Sequence, residues 1–426
     1  MSEEQQPTQP AADIPEEEQE NEPGEQKCDV VFMEEEEIDE EEEEAQYEDA
    51  SAHSFTEHED AVYSVAFCKK PLPNGTIVFA SGGGDDQAIM YHLIDKEEPK
   101  TFHLKGHTES INSLAFSADG TLLVTSDLNG NSIVWDTTDG HEISRLTGPT
   151  EGIEWVNWHP SLPAVLCGDS AGMIWLFSAK IGKCVKVYSS HVGPVTCGGF
   201  RSDGSEIWSA GEDMHLRIWA PKSGQATTTL SGLQWHHEPI ITGCNNRNGA
   251  IIATGDMSGI VKLMRCDTGK IIGQLDTGEN SVEKVEFSYD DNYIAVASMG
   301  GAVTIWSPND LKNRHALQHP GGVTSLAWHP KRPYVISACV DGAVRVWDAR
   351  SGELMSEMHG HADVITGLDV YFDGNVLLII TSSEDTSVKL WVFDEKNPIK
   401  PVLLQKPAND DDNDVDEKAQ AEGEKA

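Results

Sequence analysis

Positive charge is scarce in this chain: 30 Lys and Arg stand against 72 Asp and Glu, a formal net charge of −42. A surface of that sign repels phosphate, so nucleic acid is not expected as a direct partner. The eight cysteines (28, 68, 167, 184, 197, 244, 266 and 339) include no C-x-x-C pair and no other ligand-like cluster. They read as reduced core thiols, with no metal and no cofactor expected. The N-terminus lacks a basic, apolar, small-residue leader, and no apolar run approaches the ~18 residues that cross a bilayer. The expectation is a monomer without integral membrane association, cytoplasmic, with nuclear or peripheral-membrane pools as alternatives.

The acids are unevenly placed. Residues 1–50 hold 22 acids against Lys27 alone, half of the net charge, centred on EEEEIDEEEEEA at 34–45. Such a segment buries no apolar area and repels itself, so it is expected to be a disordered acidic tail. Residues 401–426, with eight acids and three lysines, are expected to be a second tail. The span 51–400 is expected to fold as one large all-β unit.

One phrase points to catalysis. Gly168-Asp169-Ser170-Ala171-Gly172 fits G-x-S-x-G, which holds a nucleophilic serine on a strand-to-helix elbow. An internal repeat gives it another meaning. Aromatic or large apolar residues close similar phrases at 91, 135, 177, 219, 264, 306, 347 and 391, spaced 41 to 45 residues apart. The clearest are SAGEDMHLRIW (209–219), SACVDGAVRVWD (337–348) and TSSEDTSVKLW (381–391): a β-rich run, a polar turn, and an alternating run ending in Trp. Upstream of each lies a loop, often bearing His, and another alternating strand, as in GHTESINSLAF and GHADVITGLDV. Four strands per unit and eight units predict a closed eight-bladed β-propeller. In that register Ser170 occupies a turn between strands b and c, with a strand after it, and no enzyme is expected. Closure needs an outer strand from a chain end. Ser54-Phe55-Thr56 is preferred over Val402-Leu403-Leu404, because it stands before His58 where a d strand precedes every other unit.

Sorting the loops by face separates the basic residues. The d–a and b–c loops, which share the top rim, hold 20 Asp/Glu and one Lys, Lys105; the bottom loops carry seventeen Lys/Arg, among them Lys180, Lys183, Lys222 and Lys270. An acidic channel mouth focuses negative potential and speeds capture of a basic partner. Acids kept only for solubility would appear on both faces. The expected client-binding residues are therefore Glu59, Asp60, Glu151, Glu154, Glu212, Asp363 and Glu384. Trp235, in Trp235-His236-His237, joins them as an inserted recognition side chain, the alternative being packing under the blade 4–5 connection.

Gly106-His107, Gly360-His361, Trp135-Asp136 and Trp347-Asp348 resemble the signatures of the WD-repeat family. The resemblance implies a hydrogen-bonded tetrad in each regular blade: His191, Ser209, Asp213 and Trp219; His319, Ser337, Asp341 and Trp347; His361, Thr381, Asp385 and Trp391. Blades 3, 5 and 6 depart from it, with Thr150, His237 or Glu238, and Asn280 near the His position, and with Phe177 and Met264 replacing Trp. EGIEWVNWHPSLPAVLCGDSAG (151–172), ATGDMSGIVKL (253–263), VDGAVRVWDARSGEL (340–354) and the acidic N-terminus are similar to the angio-associated migratory cell protein family. That resemblance implies one of two roles. Fungal relatives are chaperones for the basic N-terminal segment of a newly made large-subunit ribosomal protein, and animal members are signalling scaffolds linked to cell migration and angiogenesis. Trp347-Asp348-Ala349-Arg350 also fits the W-D-x-R motif of ubiquitin-ligase substrate receptors.

Overall fold

The computed structural model describes residues 47–94 and 97–399, which form eight four-stranded antiparallel sheets; no helix occurs among the described residues. Each sheet is one blade, and seven of them run a-b-c-d in chain order. The eighth combines Ile365–Phe372, Leu377–Ser383 and Val388–Phe393 with an outer strand from the other end of the chain, His53–Phe55. That strand pairs antiparallel with Val388–Phe393, His53 opposite Leu390 and Phe55 opposite Val388. The closing strand is thus N-terminal, one residue earlier than Ser54–Thr56, and it completes blade 8 as a four-stranded sheet whose remaining outer edge is only three residues long. Residues 402–404, and both expected acidic tails apart from 47–50, lie outside the described residues.

The residues that closed the repeated phrases all fall in c strands, from Tyr91 in Ala88–Leu93 to Trp391 in Val388–Phe393. Burial explains the two sequence textures. Most b and c strands are covered on both faces and read as largely apolar runs; Leu122–Asp127 and Tyr334–Cys339 are buried at every position. Outer d strands such as Lys183–Ser189 are covered on one face and alternate.

The core is a ring of layers. Eight apolar clusters form, and each joins two neighbouring blades: Leu166, Ile174 and Tyr188 of blade 3 meet Phe200, Ile207 and Trp219 of blade 4, and Phe55 and Leu390 of blade 8 meet Phe67 and Phe79 of blade 1. No blade buries its faces alone, which is why the repeat must close into a ring.

Strand a carries a second device. In seven blades its register against strand b slips at the second residue, a β-bulge at the top of the channel. The residue at this level reaches the next blade where its side chain is polar and short: Asn112 Nδ2 donates to Ile153 O at 2.7 Å, Thr196 to Ile240 O at 2.5 Å, Thr324 to Ile365 O at 2.6 Å, and Thr366 to Val62 O. The corresponding residues of blades 1, 3, 5 and 6 are Tyr63, Glu154, Ile241 and Glu283, which make no such bridge.

Candidate functional site

The top rim is built by one hydrogen bond repeated eight times, from a b–c turn amide to the carbonyl that opens strand a: Gly84 to Ala61, Leu128 to Ser110, Ser170 to Gly152, Glu212 to Pro194, Met257 to Pro239, Met299 to Ser281, Val340 to Gly322 and Glu384 to Val364. The first residue of every turn is thereby held beside the channel mouth. Two residues further on, the turn needs a left-handed backbone, supplied by Gly at 130, 172, 259, 301 and 342 and by Asp86, Met214 and Thr386 elsewhere. Gly172 of the G-x-S-x-G phrase serves this turn. Ser170 is followed by strand Met173–Ser178, so the strand-to-helix elbow is not formed.

Beneath the rim, two of the three expected tetrads are complete. In blade 4, Trp219 Nε1 donates to Ser209 Oγ at 2.9 Å, Ser209 lies 2.8 Å from His191 Nε2, and His191 Nδ1 lies 2.9 Å from Asp213. In blade 8 the same chain links Trp391, Thr381, His361 and Asp385 at 2.8, 2.7 and 2.8 Å. In blade 8 one tautomer satisfies the chain, Nδ1–H donating to the carboxylate and Nε2 accepting from the hydroxyl; in blade 4 Arg217 Nη1 also lies 2.8 Å from His191 Nδ1. Burial would raise the Asp213 carboxyl, but the His191 hydrogen bond and the Arg217 charge outweigh it and hold it well below the usual carboxylate range.

Blade 7 requires a correction. His319 Nε2 meets Ser337 at 2.8 Å, and Trp347 donates to Ser337 at 3.2 Å, but His319 Nδ1 faces the carbonyl of Leu317 at 2.9 Å. Asp341 pairs instead with Arg345, 2.7 Å away. Burial, with Arg345 adding to it, pushes the His319 imidazole down to about 4. An imidazole held neutral in the fold and protonated at ~6.5 when unfolded costs stability as pH falls. Stability is therefore expected to decline from about pH 6.5 towards 4, and a urea titration of His319→Gln should show a shallower decline.

Three further networks escaped the sequence reading. His107 joins Thr125, Asp127 and Trp135 in blade 2, His58 joins Ser81 and Asp85 in blade 1, and His236 joins Thr254 and Asp256 in blade 5. The blade 5 histidine is thus His236, not His237 or Glu238. In blades 2 and 5 the acid closes strand b, two residues before the turn position used in blade 4. In blade 3, which lacks the histidine, the equivalent Asp169 accepts from Trp175 Nε1 at 2.7 Å.

Trp235 is also corrected. It is 1% exposed and packs with Cys197, Trp208 and Ile240 under the blade 4–5 connection, so its ring is not offered to a partner. Its indole N–H has no hydrogen-bond partner.

The acidic candidates differ from these buried aspartates. Glu59, Asp60, Glu151, Glu212, Asp363 and Glu384 are exposed, and Glu154 is half-buried. Among the described residues none of the seven has a basic side chain within 4 Å, whereas Asp85, Asp127, Asp213, Asp256 and Asp385 each have a histidine there, and Asp213 has Arg217 as well. Acids do occur on the bottom face, contrary to the sorting by sequence. There many are matched, as in Lys69–Asp369, Arg201–Glu206, Arg314–Asp310 and Arg350–Asp348. Other bottom-face acids, such as Asp119, Asp203 and Asp290, cap their own turns instead. Glu154 lies at an unbridged bulge of strand a and is the half-buried one of the seven. Burial first, then the like charges of Glu212 and Asp169, push its carboxyl above the ordinary value.

The rim is not uniformly acidic. Leu128, Met257 and Met299, at the turn position that holds Glu212 and Glu384 in other blades, are 45%, 52% and 45% exposed. Counting charges alone hid them. Asp136, Asp139 and His141 form the closest ligand-like group among the described residues, but they are engaged in tying their own turn, with Asp136 and Asp139 accepting backbone amides of Thr138 and His141.

Comparison with known proteins agrees with this geometry. The WD domain, G-beta repeat, matches residues 50–92, 98–136, 182–220, 269–307, 312–348 and 352–392. The two unmatched blades, 3 and 5, are those with Phe177 and Met264 at the Trp position. The human angio-associated migratory cell protein is 31% identical over 358 residues, 80% of each chain. The ribosome assembly protein SQT1 of Saccharomyces cerevisiae is 23% identical over 338 residues, 72% of this chain and 77% of that one. Among solved structures, Saccharomyces cerevisiae Sqt1 superposes with a TM-score of 0.74 at 19% identity, covering 81% of this chain and 99% of that one. Chaetomium thermophilum Sqt1 bound to the N-terminus of the ribosomal protein L10 does so with a TM-score of 0.71 at 24% identity, covering 81% and 100%.

Proposed function

The chain belongs to the WD-repeat family, and within it to the family of the angio-associated migratory cell protein; on that premise we propose that it is a non-enzymatic, monomeric adaptor whose top face grips a basic protein segment. The client is a newly made large-subunit ribosomal protein, held in the cytoplasm for ribosome biogenesis. The observation that carries the reading is the set of seven top-face carboxylates without cationic partners, with Glu154 desolvated and facing Glu212. A half-buried carboxylate crowded by like charge costs stability unless a cation arrives, and an arriving guanidinium relieves that cost. That a structural relative is bound to the N-terminus of L10 supports the choice of client. Leu128, Met257 and Met299 give such a segment apolar contacts between its charges.

The test is titration calorimetry with a synthetic N-terminal segment of L10. Because the free Glu154 carboxyl lies above its ordinary value and a bound cation lowers it, affinity should fall as pH drops through that raised value and be flat above it. Glu154→Gln should remove this pH dependence and weaken binding about two- to fivefold, roughly 0.4–1 kcal/mol. Its folding stability should be unchanged or higher, because a desolvated like charge is gone. A segment that binds wild type and Glu154→Gln alike at every pH would sink the assignment.

A second reading, a signalling scaffold at the cell cortex, is favoured by the 31% identity with the angio-associated migratory cell protein. Recovery of small-GTPase regulators rather than nascent ribosomal protein from cells would select it. The ubiquitin-ligase receptor reading is weaker, because Arg350 of the W-D-x-R phrase is turned onto its own Asp348, at 2.6 Å.

A further inference from the structure

A groove of about 790 Å³ opens on the bottom face between blades 3 and 4. Its walls are the a–b loop of blade 3 with Leu162 and Pro163, Phe177 and Val185 of the same blade, and Phe200 and Pro221 of blade 4. Two of these apolar groups face water: Leu162 is 58% and Val185 61% exposed. Ile181, in the adjoining c–d turn, is exposed as well. The blade departs from the repeat here, with Phe177 where most blades place Trp, so this is where the regular architecture explains least. Contiguous exposed apolar side chains in one groove mark a contact site.

The charge around it is unlike the rest of the molecule. In a chain with 72 acids, none occurs between Asp169 and Asp203, while Lys180, Lys183 and Lys186 do. Lys222 lines the groove from blade 4. Asp203, on the bordering loop, is turned back onto Ser205 N and Oγ at 2.9 and 2.7 Å, and Glu206 is held by Arg201 at 2.6 Å. His159, on the groove wall, is committed to the amides of Ser161 and Leu162, both at 3.1 Å.

We propose that this groove is a second docking site, for an acidic segment of a partner protein that carries large apolar side chains. Apolar side chains fill the floor, and the partner's carboxylates meet the lysine rim. The two faces then read opposite charge: a basic segment above, an acidic and apolar one below. Such an arrangement allows both to be held at once.

The probe is a fluorescein-labelled ten-residue peptide of Asp and Glu interleaved with two Leu and one Phe, titrated by fluorescence anisotropy against the full chain. A Kd below about 100 µM, or about −5.5 kcal/mol, is expected. The same peptide with Ser in place of Leu and Phe should bind at least tenfold more weakly. Leu162→Asp with Val185→Asp, and separately Lys180→Glu with Lys222→Glu, should each weaken the first peptide at least tenfold. Binding of the basic L10 segment to the opposite face should be unchanged in these variants, which also shows that they fold. Equal binding of the Ser peptide, or binding indifferent to both double variants, overturns the proposal. So does a concentration-dependent dimer abolished by Leu162→Asp with Val185→Asp, because the groove would then belong to a second copy.

Discussion

Lysine at Glu154, Glu212, Asp363 and Glu384 together is expected to weaken capture of a basic L10-type segment at least tenfold, about 1.4 kcal/mol, measured by stopped-flow association at two salt concentrations. Exposed ion pairs contribute only ~0.2–1 kcal/mol each, so any one reversal should be modest. The four act together because they surround one opening. Glu154 sits at the bulge of strand a, Glu212 and Glu384 at the first turn position, and Asp363 in the loop that precedes strand a of blade 8. Most of the loss should appear in the association rate, with a smaller salt dependence than in the wild type, because long-range attraction is what the reversal removes. Reversing Lys180, Lys183, Lys222 and Lys270 on the opposite face should leave basic-segment binding nearly unchanged. If that bottom variant loses the segment while the top variant keeps it, the assignment of the faces is wrong.

The propeller was legible in the sequence because closure forces the repeat to be strict. The residue that closes each phrase is buried in every blade, so Phe177 or Met264 keeps its place in the register even where its chemistry has changed. The closing strand was legible for a related reason: Phe55 stands before His58 as Leu104 stands before His107, and both side chains are buried.

What escaped was whatever depends on a neighbour rather than on the repeat. Asp341 matches Asp213 in register, yet Arg345 holds it away from His319, which finds a backbone carbonyl instead. Trp235 looked like an added recognition group because nothing in its own blade explains it; Cys197 and Trp208 of blade 4 and Ile240 of blade 5 do. Bottom-face acids can be counted in sequence, but which of them are neutralised depends on pairing, and pairing is spatial. Asp369 lies 300 residues from the Lys69 it neutralises, at 2.5 Å. The unpaired state of the top-face acids, on which the functional reading rests, is invisible in sequence for the same reason.

Loss of the carboxylate in Asp213→Ala is expected to be the most destabilising single change in the tetrads, costing about 3–5 kcal/mol in a urea titration. Asp213 lies 2.9 Å from His191 Nδ1 and accepts from Arg217 at 2.9 Å, and Arg217 is 7% exposed. Loss of the carboxylate leaves a buried guanidinium and a buried imidazole without their acidic partner. Asp341→Ala provides the contrast in blade 7. Arg345 keeps Glu357, with Nε 2.9 Å from the carboxylate, and His319 keeps the Leu317 carbonyl, so the expected cost is only about 1 kcal/mol. The carboxyl of Asp213 is held below its ordinary range, so its stabilisation is present above the unfolded value of ~3.9 and is lost as pH falls below it. The gap between wild type and Asp213→Ala should therefore narrow in acid. Equal costs for the two substitutions at pH 7 would mean that the histidine networks do not organise the blades, and that inter-blade apolar packing alone does.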